Sequence, residues 1–155
     1  MTGAVRAVSA AAEKSAIARE VLLDLPEWFG VPEYTQEYIT ACAALPFWTY
    51  EIDGEAVGFI ARKETGSVAA ELFVMGVKKA HHRNGIGRTL FGAMREDAKA
   101  RGYQFLQVKT VDEGHYKEYD DTRLFYESLG FQKLEVLPDL WDAHNPCLIM
   151  VMYIQ

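Results

Sequence analysis

HHRNGIGRTL, residues 81–90, joins an apolar run of strand character to a run of helical character. Two glycines, Gly85 and Gly87, stand one residue apart at that junction, flanked by Arg83 and Arg88. A glycine-rich turn that opens a helix leaves several backbone N–H groups pointing outward without partners, and such a group of donors favours an anion. Lys78, Lys79, Arg83 and Arg88 fall within eleven residues that hold no Asp or Glu. In a chain of net charge −6 this is a local basic patch, suited to the same kind of guest.

Outward from this junction the pattern is regular. On the N-terminal side, residues 67–77 (SVAAELFVMGV) form a mostly apolar strand, as expected for a central strand covered on both faces. Before it, FWTYEIDGEAVGFIARKE reads as two strands around Asp53-Gly54, a strong hairpin signal. On the C-terminal side, Ile86, Leu90, Met94 and Ala98 mark one face of a helix that stops near Arg101-Gly102. A strand over residues 105–111, a polar loop over 112–121, a short helix over 122–130 and two strands, 131–137 and 147–154, complete the chain. WDAHNPC, residues 141–147, reads as the loop between those last strands and receives no function. The first third supplies a strand over 4–8, a helix over 12–25 broken by Pro26 and Gly30, and a helix from Pro32 to about residue 44. The order β-α-α-β-β-β-α-β-α-β-β predicts an α/β protein with a mixed sheet covered by helices, in one domain over residues 1–155.

Composition narrows the function. Half of the 155 residues are hydrophobic and a quarter charged, as in a globular protein with its own core. The negative balance argues against nucleic acid as the general partner. No apolar run approaches the roughly 18 residues that span a bilayer, and the first twenty residues lack the apolar core of a secretion signal, so a cytoplasmic protein is expected. Cys42 and Cys147 are far apart and read as free buried thiols rather than a disulfide. The histidines, His81, His82, His115 and His144, form no i,i+4 pair and have no nearby cysteine, so no metal site is expected.

The glycine spacing discriminates among phosphate loops. A Walker-type loop needs Gly-Lys-Ser/Thr, whereas Arg88-Thr89 follow Gly87. A dinucleotide fingerprint needs a third glycine where Leu90 stands, and an acidic residue about 20 further on where Phe105 and its neighbours stand. HRNGIG, residues 82–87, instead resembles the pyrophosphate loop Q/R-x-x-G-x-G/A of the GNAT acetyltransferase superfamily, with His82 in place of Gln or Arg. A second stretch, TRLFYESLGF (122–131), resembles the superfamily's later helix with its Tyr-Glu-x-x-Gly-Phe ending. There Tyr119 and Thr122 stand where the superfamily often has Asn and Ala. The resemblance covers roughly residues 47–154; the first 45 match only in outline.

That resemblance implies a mostly antiparallel sheet of about seven strands flanked by about four helices, with acetyl-CoA as co-substrate. Its pyrophosphate would lie on His82, Arg83, Asn84, Gly85, Ile86, Gly87, Arg88 and Thr89, mainly through backbone N–H groups. The strand end Met75, Gly76 and Val77 would pair with the pantetheine arm and hold the thioester carbonyl. Tyr126 matches the tyrosine that gives a proton to the CoA sulfur. Glu71 lies eleven residues before His82, the spacing of the strand glutamate that serves as general base in the histone-modifying branch. Flanked by Ala70 and Leu72, its carboxylate is expected to be partly desolvated.

The implied reaction is N-acetylation of a primary amine, in which orientation alone can contribute about 7–11 kcal/mol. For the acceptor, Trp28, Phe29 and Glu33 are the candidate contacts, with residues 111–121 as a second wall. The acidic character of both segments points to a cationic amine on a small molecule. A protein lysine or N-terminal acetyltransferase, and a CoA-binding regulatory module without turnover, are the alternatives. A homodimer is left open.

Overall fold

The structure, a computed structural model, describes residues 3–155. Strands β1 (Gly3–Ala7), β2 (Phe47–Ile52), β3 (Glu55–Glu64), β4 (Ala69–Val77), β5 (Phe105–Val111), β6 (Gln132–Asp142) and β7 (Asn145–Tyr153) form one seven-stranded sheet in the order β1-β2-β3-β4-β5-β7-β6. Every pairing is antiparallel except β4 with β5. Helices α1 (Ala11–Leu23) and α2 (Pro32–Cys42) cover one face; α3 (Ile86–Ala100) and α4 (Lys117–Leu129) cover the other. The element order and the mixed, mostly antiparallel sheet agree with the sequence reading. Asp53 and Gly54 both adopt positive φ (52° and 80°), the backbone twist a two-residue hairpin turn requires.

Two cores result. Leu90, Met94 and Ala98, the apolar face of α3, pack on Ile60, Leu72, Leu106 and Met150. Val21, Leu22 and Ile39 of α1 and α2 pack on Phe47, Phe59 and Val74, with the two phenyl rings stacked 5.1 Å apart. Gly76 lets α1 approach the sheet: a Cβ there would stand 2.9 Å from Leu25 Cδ1 and 3.0 Å from Val21 Cγ1. The two thiols, Cys42 and Cys147, are free and buried.

Two segments differ from the sequence reading. The polar stretch 117–121 is the first turn of α4, not loop. Glu118 and Asp120 there face the positive end of the helix, and Lys117 pairs with Asp121 one turn on at 2.8 Å. Residues 141–147 are mostly strand. Trp141 and Asp142 end β6, Asn145 begins β7, and the Asp142 carboxylate accepts from the His144 N–H and the Asn145 side-chain amide, both at 2.9 Å. A polar, aspartate-rich run carries no periodic signal, so neither extension was visible in the pattern of apolar residues.

Candidate active site

Strand β4 positions the site. It pairs with β5 at three register positions only, Ala69↔Phe105, Ala70↔Leu106 and Glu71↔Gln107. Beyond Glu71 the strands part: β5 continues against β7 to Val111, and β4 continues against β3 to Val77. The sheet is forked, and the β4 edge from Leu72 to Val77 faces the fork without a β5 partner. A bulge in β4 adds to this. Ala61 pairs with Val74 and Arg62 with Leu72, so Phe73 is an extra residue, and Phe73 and Val74 both turn to the α1–α2 face.

The loop after β4 is held at the mouth of the fork. Arg83 (φ 65°) and Gly85 (φ 77°) adopt left-handed conformations, and α3 begins directly after Gly85. No side chain caps α3, and its first turn holds no acid. The N–H groups of that turn therefore lack a side-chain partner, the arrangement expected of a glycine-rich turn that opens a helix. Gly87 is glycine for a packing reason: a Cβ would lie 3.1 Å from Phe125 Cζ of α4 and 3.5 Å from Met75 Cε of β4. Met75, Gly87 and Phe125 therefore meet where strand end, loop and helix converge.

His82 has a defined job. Its Nε2 lies 2.6 Å from the Val77 carbonyl, to which the Nε2–H tautomer donates, tying the loop to the strand end. The basic patch is smaller than the sequence implies. Lys78 pairs with Glu20 and Glu55, each at 3.2 Å, and Lys79 pairs with Glu27 at 2.8 Å. Arg88 donates to Ser128 Oγ of α4 at 3.0 Å, and the Thr89 hydroxyl returns to the Gly85 carbonyl at 2.9 Å. Among the described residues Arg83 makes no ion pair, and it lies beside Asn84 on the exposed rim of the loop.

The face of α4 turned to the fork carries Tyr126. The residue is buried in the α3–α4 core, and burial, with the neighbouring hydroxyls of Tyr38 and Tyr119, pushes its phenol well above the usual range. Tyr119 is raised to about 12, mainly by burial. Tyr38 is raised by burial and by the nearby Glu71 carboxylate.

Around Glu71 lies a cavity of about 260 Å³, lined by Tyr38 of α2, Phe73 of β4, and Leu140 and Trp141 of β6. Its charged groups are Glu71, Lys63 of β3 and Lys109 of β5. The Glu71 side chain is 8% exposed, and its Oε1 accepts from Lys109 Nζ at 3.1 Å. The expectation of a desolvated strand carboxylate holds, with the addition of a cationic partner.

The three residues proposed from sequence to contact the acceptor lie outside this cavity. Trp28 is a tether. Its indole N–H lies 3.1 Å from both the Glu118 carbonyl and Thr122 Oγ1, its carbonyl accepts from the Tyr119 hydroxyl, and its ring meets His82 edge-on at 5.9 Å. Tyr119 and Thr122 are the two positions that depart from the superfamily pattern, and both bind this one tryptophan. Phe29 packs edge-on against Tyr38 at 5.9 Å and lines a separate hollow of about 210 Å³ between α1 and α2. Glu33 is exposed in the first turn of α2.

Tyr38, Lys63, Phe73, Lys109, Leu140 and Trp141 were not found from sequence. Alternation in FLQVKTV places Lys109 on one face with Gln107, but only the three-residue parallel register brings it to Glu71. Among the described residues no group of three or more His, Cys, Asp or Glu could hold a metal ion, and no helix is long and apolar enough to cross a membrane.

Comparisons with known proteins agree with this geometry. A family model for the acetyltransferase (GNAT) domain matches residues 43–133, from before β2 into β6. The uncharacterized N-acetyltransferase YsnE of Bacillus subtilis is 30% identical over 101 residues, and the match spans 65% of this chain and 65% of that relative's length. A protein from Desulfovibrio desulfuricans described as a GNAT-family acetyltransferase superposes with TM-score 0.84 at 21% identity, over 99% of this chain and 100% of its own. An acetyltransferase-like structure from Salmonella typhimurium, solved with its cofactor acetyl-CoA, superposes with TM-score 0.74 at 16% identity, over 100% of this chain and 95% of its own. The forked sheet, the uncapped glycine loop and the family match over more than half the sequence converge: the chain belongs to the GNAT acetyltransferase domain family.

Proposed function

We propose that this protein is an N-acetyltransferase that moves the acetyl group of acetyl-CoA directly to the primary amine of a small molecule. The observation that carries the reading is the fork after Glu71, which leaves an open strand edge beneath an uncapped helix N-terminus and ends at a small cavity. The residues fit the co-substrate. The N–H groups of residues 85–88 suit the pyrophosphate, and the free edge of Met75–Val77 suits an extended arm with amide groups. The cavity, below the ~300–1,000 Å³ usual for small-molecule sites, supports a small acceptor over a peptide.

In the proposed reaction the amine nitrogen attacks the thioester carbonyl carbon, a C–N bond forms and the C–S bond breaks. The ammonium proton passes to the Glu71 carboxylate through a water, and the leaving thiolate takes the phenolic proton of Tyr126. Solvent then returns the proton from Glu71 to Tyr126. Lys109 holds the Glu71 carboxylate in one orientation. The raised pKa of Tyr126 keeps its proton in place through neutral and mildly alkaline pH, so the donor is always loaded. Calorimetric titration with acetyl-CoA, beside 3′,5′-ADP, followed by thiol-release assays over an amine panel, tests the reading. Saturable acetyl-CoA binding with amine-dependent thiol release is expected. No binding at millimolar acetyl-CoA overturns it.

A further inference from the structure

Lys63 and Glu71 are register partners on β3 and β4, so their side chains leave the same face of the sheet side by side. Lys109 flanks Glu71 from the other side, on β5. One carboxylate thus stands between two ammonium groups, and it takes Lys109. Lys63 makes no ion pair among the described residues; its Nζ instead lies over the Phe73 ring, 5.5 Å from the centroid, at the cavity wall. Of the acidic residues that suggested a cationic acceptor, Glu27 pairs with Lys79, Asp121 pairs with Lys117 and Asp120 accepts from the Gly114 N–H, and none of those in either segment lines the cavity. The cavity therefore carries one net positive charge within walls formed by Phe73, Leu140, Trp141 and Tyr38.

Resting on the acetyltransferase reading, we infer that the acceptor is an amine that also carries a carboxylate and an apolar or aromatic body, in effect a hydrophobic amino acid, and that Lys63 is the residue that selects it. Lys63 receives the acceptor carboxylate, the aromatic wall receives the apolar body, and the amine is left to face Glu71. A cation on a ring face is readily offered to an anion, because the ring does not neutralise its charge. Lys63 is exposed at the cavity rim, and a charge-assisted hydrogen bond of this kind discriminates against a neutral isostere about tenfold.

The test compares matched acceptors: L-phenylalanine and L-tryptophan, their carboxamides, the decarboxylated amines, and O-phosphoethanolamine as a phosphate-bearing amine. The expected result is kcat/KM at least about tenfold higher for the acids than for the carboxamides. Lys63→Met abolishes that ratio by lowering kcat/KM for the acids at least about tenfold more than for the carboxamides, and Lys63→Arg retains it. A preference for the phosphate-bearing amine over the amino acids overturns the carboxylate assignment. Equal or better use of carboxamides and decarboxylated amines overturns the inference, as does an equal loss on both series in Lys63→Met. Acetyl-CoA binding with no turnover of any acceptor also overturns it, without touching co-substrate recognition. Absence of acetyl-CoA binding overturns the acetyltransferase reading itself.

Discussion

The two ends of the fork are built from different material. The end proposed to receive the co-substrate is made of main chain: the free edge of β4, two left-handed residues and an uncapped helix terminus. The end proposed to receive the acceptor is made of side chains from α2, β3, β4, β5 and β6, brought together by tertiary folding. A backbone site tolerates side-chain change as long as the glycines remain, so it can be kept while sequences diverge. The loop illustrates this, with His82 in an unusual identity yet fastened to the Val77 carbonyl. A side-chain site changes with each substitution, and it is where specificity resides.

This contrast predicts separable defects. The largest belong to the chemistry. Glu71→Gln and Tyr126→Phe each lower kcat by about 10²–10⁴-fold, the usual contribution of a positioned acid or base. Calorimetry on the same variants should give an unchanged affinity for acetyl-CoA. Losses under tenfold in both would mean that orientation alone carries the reaction and would remove the distinction at its centre.

Next comes the main-chain end. In Gly87→Val the new Cβ meets Phe125 Cζ at 3.1 Å, an overpacking that costs about 1–3 kcal/mol. The expected outcome is a Tm lower by several degrees and an acetyl-CoA Kd raised about tenfold, with the acceptor KM unaffected. A raised acceptor KM with normal acetyl-CoA binding would invert the comparison.

The tether of Trp28 to α4, beside the loop, is worth less. Trp28→Phe removes the indole donor to Glu118 and Thr122, and Tyr119→Phe removes the donor to the Trp28 carbonyl. Each should cost about 1 kcal/mol, a Tm shift of ~2–4 °C at this chain length. The double variant should cost less than the sum, since both changes loosen the same contact between α4 and the segment after α1. Full additivity in thermal melts would show that the two bonds act independently.

The smallest effect over the working range is that of pH. Burial raises Cys42 to about 12 and Cys147 to about 11 from an ordinary 9.0, and Tyr119 to about 12 from 10.0. These groups ionise first in the unfolded chain, which then binds fewer protons than the folded one, so stability falls as pH rises. Urea midpoints should show no loss from these groups below about pH 8 and a progressive decline from there to pH 12. A decline that persists in a Cys42→Ala, Cys147→Ala variant between pH 9 and 10 would assign it to other groups.

Much of the architecture was legible in the chain. Asp53-Gly54 set the hairpin, the four-residue repeat of Ile86, Leu90, Met94 and Ala98 set α3, and the glycines of residues 82–87 marked the uncapped turn that opens it. These signals are local: a turn, a helical period and a positive φ each depend on a few neighbouring residues. The same locality explains the errors. The first turn of α4 and the strands over residues 141–147 are polar, and a polar stretch has no periodicity to read. Trp28 looked like an acceptor contact because its segment is aromatic and acidic; its partners lie some ninety residues away in sequence.

The sequence by itself determined the order of elements, the sheet class, the glycine loop that opens α3, and Glu71 and Tyr126 as candidate acid–base residues. Only the tertiary structure decided which cations are free, which residues surround Glu71, and where the sheet forks. Pairing across a sheet depends on register and on where two strands part. Both are fixed by packing between segments distant in the chain, here a three-residue parallel ladder and one bulge at Phe73, which no local pattern encodes.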